Sequence, residues 1–245
     1  MIGIFCLFGL AIGSFLNVCA DRLPNMKSIL GPPSHCEACG HKLAPLDLIP
    51  LLSYLFLRGR CRYCQAAIPR RVPLVELGTG LLFLLLRHHY GLSFQLAQAV
   101  VFTCVFIIVS VTDLEHRLIP NLVVYPAMLI ALLFALLDSD PGIIPALSGG
   151  AIAMGFPLLL LLFVPGSMGM GDVKLCALVG LIVGFPLVFV ALFISFVLAG
   201  TISAALLVLG LKKRGEFVPL APFLATGGIA TMLYGEQILR LYLGT

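Results

Sequence analysis

Residues 175–211 read LCALVGLIVGFPLVFVALFISFVLAGTISAALLVLGL, so the chain runs from Leu175 to Leu211 without one charged side chain. As a single helix these 37 residues would be roughly 55 Å long at 1.5 Å per residue. The hydrocarbon core of a bilayer is only about 30 Å thick. The run must fold back, and Gly184-Phe185-Pro186 supplies the turn. The remaining composition agrees that lipid is the solvent. The chain is 60% hydrophobic and 11% charged, with a mean hydropathy of +1.12, which lies outside the soluble globular range.

Working outward, further apolar stretches cover 1–20, 73–87, 94–112, 121–137, 143–164 and 217–239. With the split run they make eight candidate helices, predicting an all-α polytopic membrane protein in contact with membrane lipid. The first stretch has no basic residues before it and Asp21-Arg22 after it, so it reads as a first span rather than a cleaved signal peptide. If the amino terminus lies outside, thirteen of the fifteen Lys and Arg, Arg214 among them, fall in cytosolic loops, leaving Arg87 and Arg240 outside. That asymmetry is the positive-inside pattern. It makes the formal charge of +4 a matter of topology, and no nucleic-acid partner is expected. Asp113 and Asp172 then fall at the cytosolic face, and Asp138 and Asp140 in an outer loop.

Three parts are expected: a first transmembrane helix over 1–20, a cytosolic domain over 21–72, and a seven-helix membrane domain over 73–245. Segment 21–72 is apolar enough between Leu48 and Leu57 to form a small packed unit or to lie against the membrane. A domain of about fifty residues needs a staple. Cys36-Glu37-Ala38-Cys39 and Cys61-Arg62-Tyr63-Cys64, with 21 residues between the pairs, provide one. Two C-x-x-C knuckles close a tetrahedral four-sulfur zinc site, and such a site holds a fold without offering zinc an open position for chemistry. Disulfides or a redox pair are the alternatives, and a reducing compartment argues against the former. His35 and His41 flank the first knuckle and offer replacements for a sulfur, although four thiolates already fill the shell. Cys6, Cys19, Cys104 and Cys176 lie in apolar runs and read as small hydrophobes.

Asp113, in Val111-Thr112-Asp113-Leu114-Glu115, and Asp172, in Gly169-Met170-Gly171-Asp172-Val173-Lys174, sit at the edges of apolar runs. Carboxylates there are costly and need a reason. Asp172 is placed to cap a helix running on from Val173. Asp113 ends a helix, where its charge meets the negative end of the dipole. Together they suggest a dyad sharing one proton, one member acting as general base toward water and the other as general acid toward an amide. Which is which stays open. Glu115, His116 and Arg117 read as a solvated loop able to position substrate, and Lys174 as a headgroup anchor or a charge acting on Asp172.

Several stretches, in order along the chain, resemble the type IV prepilin peptidases, bifunctional leader peptidases and N-methyltransferases of bacterial pilus and type II secretion systems. They are Gly13-Ser14-Phe15-Leu16-Asn17-Val18 with Arg22-Leu23-Pro24, the two knuckles, Pro73-Leu74-Val75-Glu76-Leu77, Asp113 through Ile119-Pro120-Asn121, and Gly169-Met170-Gly171-Asp172-Val173-Lys174-Leu175. The Gly-x-Gly-Asp motif is shared with presenilin-like proteases, and its combination with the four cysteines is the specific signal. The resemblance implies cleavage of a prepilin or pseudopilin after the glycine ending its basic leader, in a bacterial inner membrane. Methylation of the new amino terminus from S-adenosylmethionine follows. Asp113 and Asp172 match the catalytic aspartates. No glycine-rich nucleotide fingerprint marks a methyl-donor site. Glu76, an acid inside an apolar span, is the candidate for binding the donor or the new α-ammonium, with a salt bridge to Arg70 or Arg71 as its structural alternative. Asn17 and Arg22 belong to the same cytosolic mouth. Cys19-Ala20-Asp21 departs from the apolar residues and His that family members often carry.

Two other classes fit parts of the pattern. A proton-coupled transporter would place its acids near the midplane on broken helices within repeats, and no repeat is seen. A zinc-stapled scaffold for a secretion machine would use both aspartates as caps.

Overall fold

The computed structural model describes residues 2–164, 168–213 and 218–244. Arg214, one of the thirteen cations assigned to the cytosolic side, lies outside the described residues. The chain divides into two compact units, Met1–Ile108 and Val109–Thr245.

In the first unit, α1 (Ile2–Arg22) packs along α3 (Arg71–Tyr90). Glycine makes that approach possible. A Cβ on Gly9 would sit 2.8 Å from Gly80 Cα, and one on Gly13 would sit 2.8 Å from Glu76 Cα. Small-residue contacts of this kind let helices associate where burial from water offers no drive. Between the two helices lie a 3₁₀ turn (Pro45–Leu48), the short helix α2 (Leu52–Phe56) and the isolated bridges His35↔Lys42 and Arg60↔Ala67. Arg71 Nη2 bonds Asp21 Oδ1 at 2.7 Å across the bases of α1 and α3, so the residue departing from the family pattern has a structural partner. Helix α4 (Phe94–His116) begins in this unit and ends in the next.

The second unit holds α5 (Asn121–Leu137), α6 (Ile143–Phe163), α7 (Met170–Val183), α8 (Val188–Val208) and α9 (Ala221–Leu243). Helix α7 is its axis, touching α5, α6, α8 and α9. A helix apolar on all sides belongs in such a place. Helices α6 and α7 meet closely at Gly149 and Gly180, where a Cβ on the first would sit 2.5 Å from Gly180 O and one on the second closer still to Gly149 O. The charge-free run breaks at the expected turn: α7 is capped by Gly184 at φ +69° and α8 starts beyond Pro186.

Among the described residues, eight long helices match the eight expected stretches. Gly3–Arg22, Phe94–His116, Ile143–Phe163 and Val188–Val208 are long and apolar enough to cross a membrane, and Asn121–Leu137 is a shorter apolar helix. The chain is a multi-pass membrane protein. Two boundaries differ from expectation. Helix α4 continues one turn past Asp113, and α7 starts at Met170, because Gly169 takes the extended cap conformation (φ −80°, ψ 148°) and the first-turn glycine continues the helix.

Candidate functional site

Asp113 and Asp172 both belong to the second unit and are each 3% exposed. They line one cavity of about 280 Å³ with Arg117, Leu118, Ile119, Asn121, Gly169, Gly171 and Lys174. They are near enough for the charge of Asp113 to act on Asp172.

Each carboxylate is oriented by a backbone amide at a helix N-terminus. Asp113 Oδ2 accepts the Ala221 N–H at 3.0 Å. Ala221 is the first residue of α9, whose leading amides have no partner within the helix. The unfavourable end of α4 is therefore offset by the positive end of α9. Sequence reasoning missed this residue. Its one local signal is Pro222, which suits the opening of a helix. Asp172 is not the N-cap but sits in the first turn of α7, and its Oδ2 accepts the Gly169 N–H at 3.2 Å. Its Oδ1 is buried without a hydrogen-bond partner. A buried acceptor left unmatched next to a cavity awaits a donor.

The cavity walls are held in register from α5. Lys174 Nζ donates to Asn121 Oδ1 at 3.1 Å and lies 5.1 Å from the centre of the Tyr125 ring. It anchors α7 to α5 rather than reaching headgroups alone. Gly171 leaves room for Ile119, whose Cβ would be 3.1 Å from any Cβ there. Glu115 and His116 are exposed in the last turn of α4, which Arg117 ends at φ +53° while lining the cavity.

In the first unit the four cysteines come together. The Sγ atoms of Cys36, Cys39, Cys61 and Cys64 lie within 4.8 Å of one another, and Cys36 Sγ is 3.8 Å from Cys64 Sγ. Tetrahedral zinc with bonds of about 2.3 Å requires sulfurs about 3.8 Å apart, so the donors fit a four-sulfur metal site. The knuckles share one design. Cys36 N–H bonds His41 O and Gly40 N–H bonds Cys36 O; Cys61 N–H bonds Ala66 O and Gln65 N–H bonds Cys61 O. Gly40 and Gln65 both take positive φ, +70° and +61°. Amides of Cys39 and Ala38 hold the Cys36 thiol down at about 7. Although the Ala66 amide favours its thiolate, burial and the three neighbouring thiols push Cys64 up to about 12. Four sulfurs this close cannot all be thiolates without a cation among them. Neither histidine joins the cluster: His35 Nδ1 faces Pro33 O, and His41 stacks on Tyr63 with ring centres 3.7 Å apart. Asp47 binds the second knuckle through Arg62 Nε at 2.7 Å. Burial opposes its charge, but the bonds from Arg62 and the Ala44 amide prevail and hold its carboxyl below the usual range.

Glu76 is buried in α3, and its Oε2 accepts the Leu51 N–H at 2.8 Å with Ser14 alongside. Of the two arginines offered as salt-bridge partners, Arg70 and Arg71, the second pairs with Asp21. One turn away along α1, Asn17 donates to Gly13 O and Val72 O, and its Oδ1 is buried without a partner. Arg22 is spent on the carbonyls of Ser28, Ile29 and Pro32.

Residues 7–90 match the bacterial peptidase A24 N-terminal domain and residues 100–204 match the type IV leader peptidase family. The chain is similar to a prepilin leader peptidase/N-methyltransferase of Bacillus subtilis (strain 168), 36% identical, with 99% of this chain and 98% of the relative covered. Proteins of the same name from Pseudomonas aeruginosa (34% identical, 97% of this chain, 91% of the relative) and Dichelobacter nodosus (34%, 98%, 95%) are also similar. No solved structure matches.

Proposed function

We propose that the chain, which belongs to the type IV leader peptidase family, cuts the leader from prepilins or pseudopilins after its terminal glycine and then methylates the new amino terminus. The observation that carries the peptidase half is the pair of nearly buried carboxylates on one cavity, Asp172 with one oxygen buried without a partner. In the reaction one carboxylate takes a proton from a water as it attacks the scissile carbonyl. The other gives a proton to the departing amine, and the pair ends with its single proton exchanged. The Ala221 and Gly169 amides keep both groups oriented throughout. Arg117 and Lys174 stand at the cavity wall, the first open to a substrate carbonyl and the second setting the wall's position.

For the methyl transfer we assign Glu76 and Asn17: a buried carboxylate in α3 and, on α1, an Oδ1 buried without a partner suit an α-ammonium or the methyl donor. S-adenosylmethionine, when bound, supplies the methyl group. In this reading residues 1–20 anchor the chain, 21–72 form a zinc domain on Cys36, Cys39, Cys61 and Cys64, and 73–245 carry the protease site. The bacterial inner membrane is the location, with both carboxylates facing the cytosol, where a basic leader is retained by its charge. Zinc is the ion that four clustered thiolates in tetrahedral spacing select.

The test is mass measurement of a prepilin incubated with the reconstituted protein, with and without S-adenosylmethionine. The expected products are a shortened pilin and, with donor, the same pilin one methyl heavier. Cleavage at an unchanged rate by Asp113→Asn or Asp172→Asn would refute the dyad.

A further inference from the structure

The polar segment between α1 and α3 carries an apolar face that the chain does not cover. Leu46, Leu52, Leu55 and Phe56 are 66%, 52%, 68% and 84% exposed, and α2 buries none of its residues. A cluster of large apolar side chains left open is a contact surface. The question is what covers it.

Glu76 fixes its depth. The carboxylate lies five residues beyond Arg71 in α3, about 7 Å along the helix axis. The headgroup zone on either side of the hydrocarbon is about 5–8 Å thick, so with the Arg71 guanidinium at its outer edge Glu76 stands level with its inner boundary. The Leu51 amide, 2.8 Å from Glu76 Oε2, stands at the same level. Leu52 starts the next turn, and Leu74 and Leu77, which flank Glu76 along α3, are themselves 66% and 43% exposed. Directly after α2 come Arg58, Arg60 and Arg62, all on the surface. Apolar residues at the acyl boundary followed by cations among the phosphates is the arrangement of an interfacial element.

We propose that residues 46–56 are such an element, seated in the bilayer on the face where α1 ends and α3 begins, with Arg58 and Arg60 on anionic headgroups while Arg62 stays paired with Asp47. Glu76 is the pin that holds it there, through Leu51. The partner is the lipid surface itself, and the consequence is that the cysteine knuckles are moored to the membrane at a second place besides the two helices.

The chain has no tryptophan, so Phe56→Trp and, separately, Leu55→Trp each install a sole reporter in the full-length, zinc-loaded protein. Each is reconstituted into liposomes of phosphatidylcholine and phosphatidylglycerol. The expected result is blue-shifted emission that loses most of its intensity when lipids brominated near the headgroup end of their acyl chains are used, with little response to acrylamide. Emission as red and as acrylamide-sensitive as free N-acetyltryptophanamide at both positions would overturn the proposal. So would emission that ignores brominated lipid and shifts only when a prepilin is added, which would assign the face to substrate.

Discussion

Glu76 in the first unit and the Asp113–Asp172 pair in the second are equally buried, at 4% against 3% and 3% exposed. They differ in what their oxygens meet. Glu76 is tied to the Leu51 amide and flanked by the Ser14 hydroxyl. Asp113 and Asp172 each spend one oxygen on a helix-opening amide and turn toward a shared cavity, where Asp172 Oδ1 has no partner. Burial of an acid in an apolar span therefore does not mark it for proton transfer. In the proposed reading an oriented carboxylate with an unspent acceptor beside a cavity does, while Glu76 also holds the backbone at Leu51.

The largest expected effect lies on the dyad side of this contrast. Asp113→Asn and Asp172→Asn should each lower cleavage by about 10²–10⁴-fold, the range of a general acid or base, with metal content and helicity unchanged. Single-turnover mass spectrometry on prepilin measures it, and the contrast breaks if either amide variant keeps near-native rates.

Metal removal comes next. Cys61→Ser should abolish stoichiometric zinc and loosen residues 21–72, since structural zinc contributes directly to folding. We expect methylation to fall more than cleavage, because the knuckles and Glu76 share the first unit and the dyad does not. Elemental analysis alongside both assays reads this out, and a normal zinc content in the variant would end the four-sulfur assignment.

A smaller and more selective effect is expected at Glu76. Glu76→Gln keeps an acceptor for the Leu51 amide, so stability and cleavage should hold while methylation drops. Glu76→Ala leaves that amide unmatched and should cost about 1–3 kcal/mol besides, visible as a lower unfolding midpoint in detergent. If the Gln variant methylates normally, Glu76 is a pin and nothing more. Lys174→Met should have the mildest consequence. It deletes one hydrogen bond and one ring contact, about 1 kcal/mol together, and should shift KM more than kcat by loosening the Asn121 wall of the cavity.

The helices were legible because lipid allows few exceptions. A charge-free stretch longer than the bilayer has to break, and Gly184-Phe185-Pro186 held the residues that break it. The cysteine cluster was legible from spacing alone, whereas the positive φ of Gln65 after the second knuckle, unlike that of Gly40 after the first, has no sign in residue type. What escaped were the partners supplied by backbone amides. Ala221, Gly169 and Leu51 orient the buried acids Asp113, Asp172 and Glu76, yet an amide belongs to every residue and leaves no mark in composition or spacing. The first turn of α7 escaped for a related reason. Gly169-Met170-Gly171 reads as a breaker, and only the carboxylate of Asp172 reaching back to Gly169 makes it a helix start.

The bond from Asp113 to Ala221 spans 108 positions, and that separation has a meaning in time. Chains are made from the amino terminus. Asp113 leaves the ribosome first, Asp172 follows, and the amide that orients Asp113 is delivered with the last helix. A chain halted after Asp172 but before α9 carries both aspartates, with Asp113 lacking the Ala221 amide. If the two carboxylates are the catalytic pair, delivery of the last helix is the step that aims the first of them.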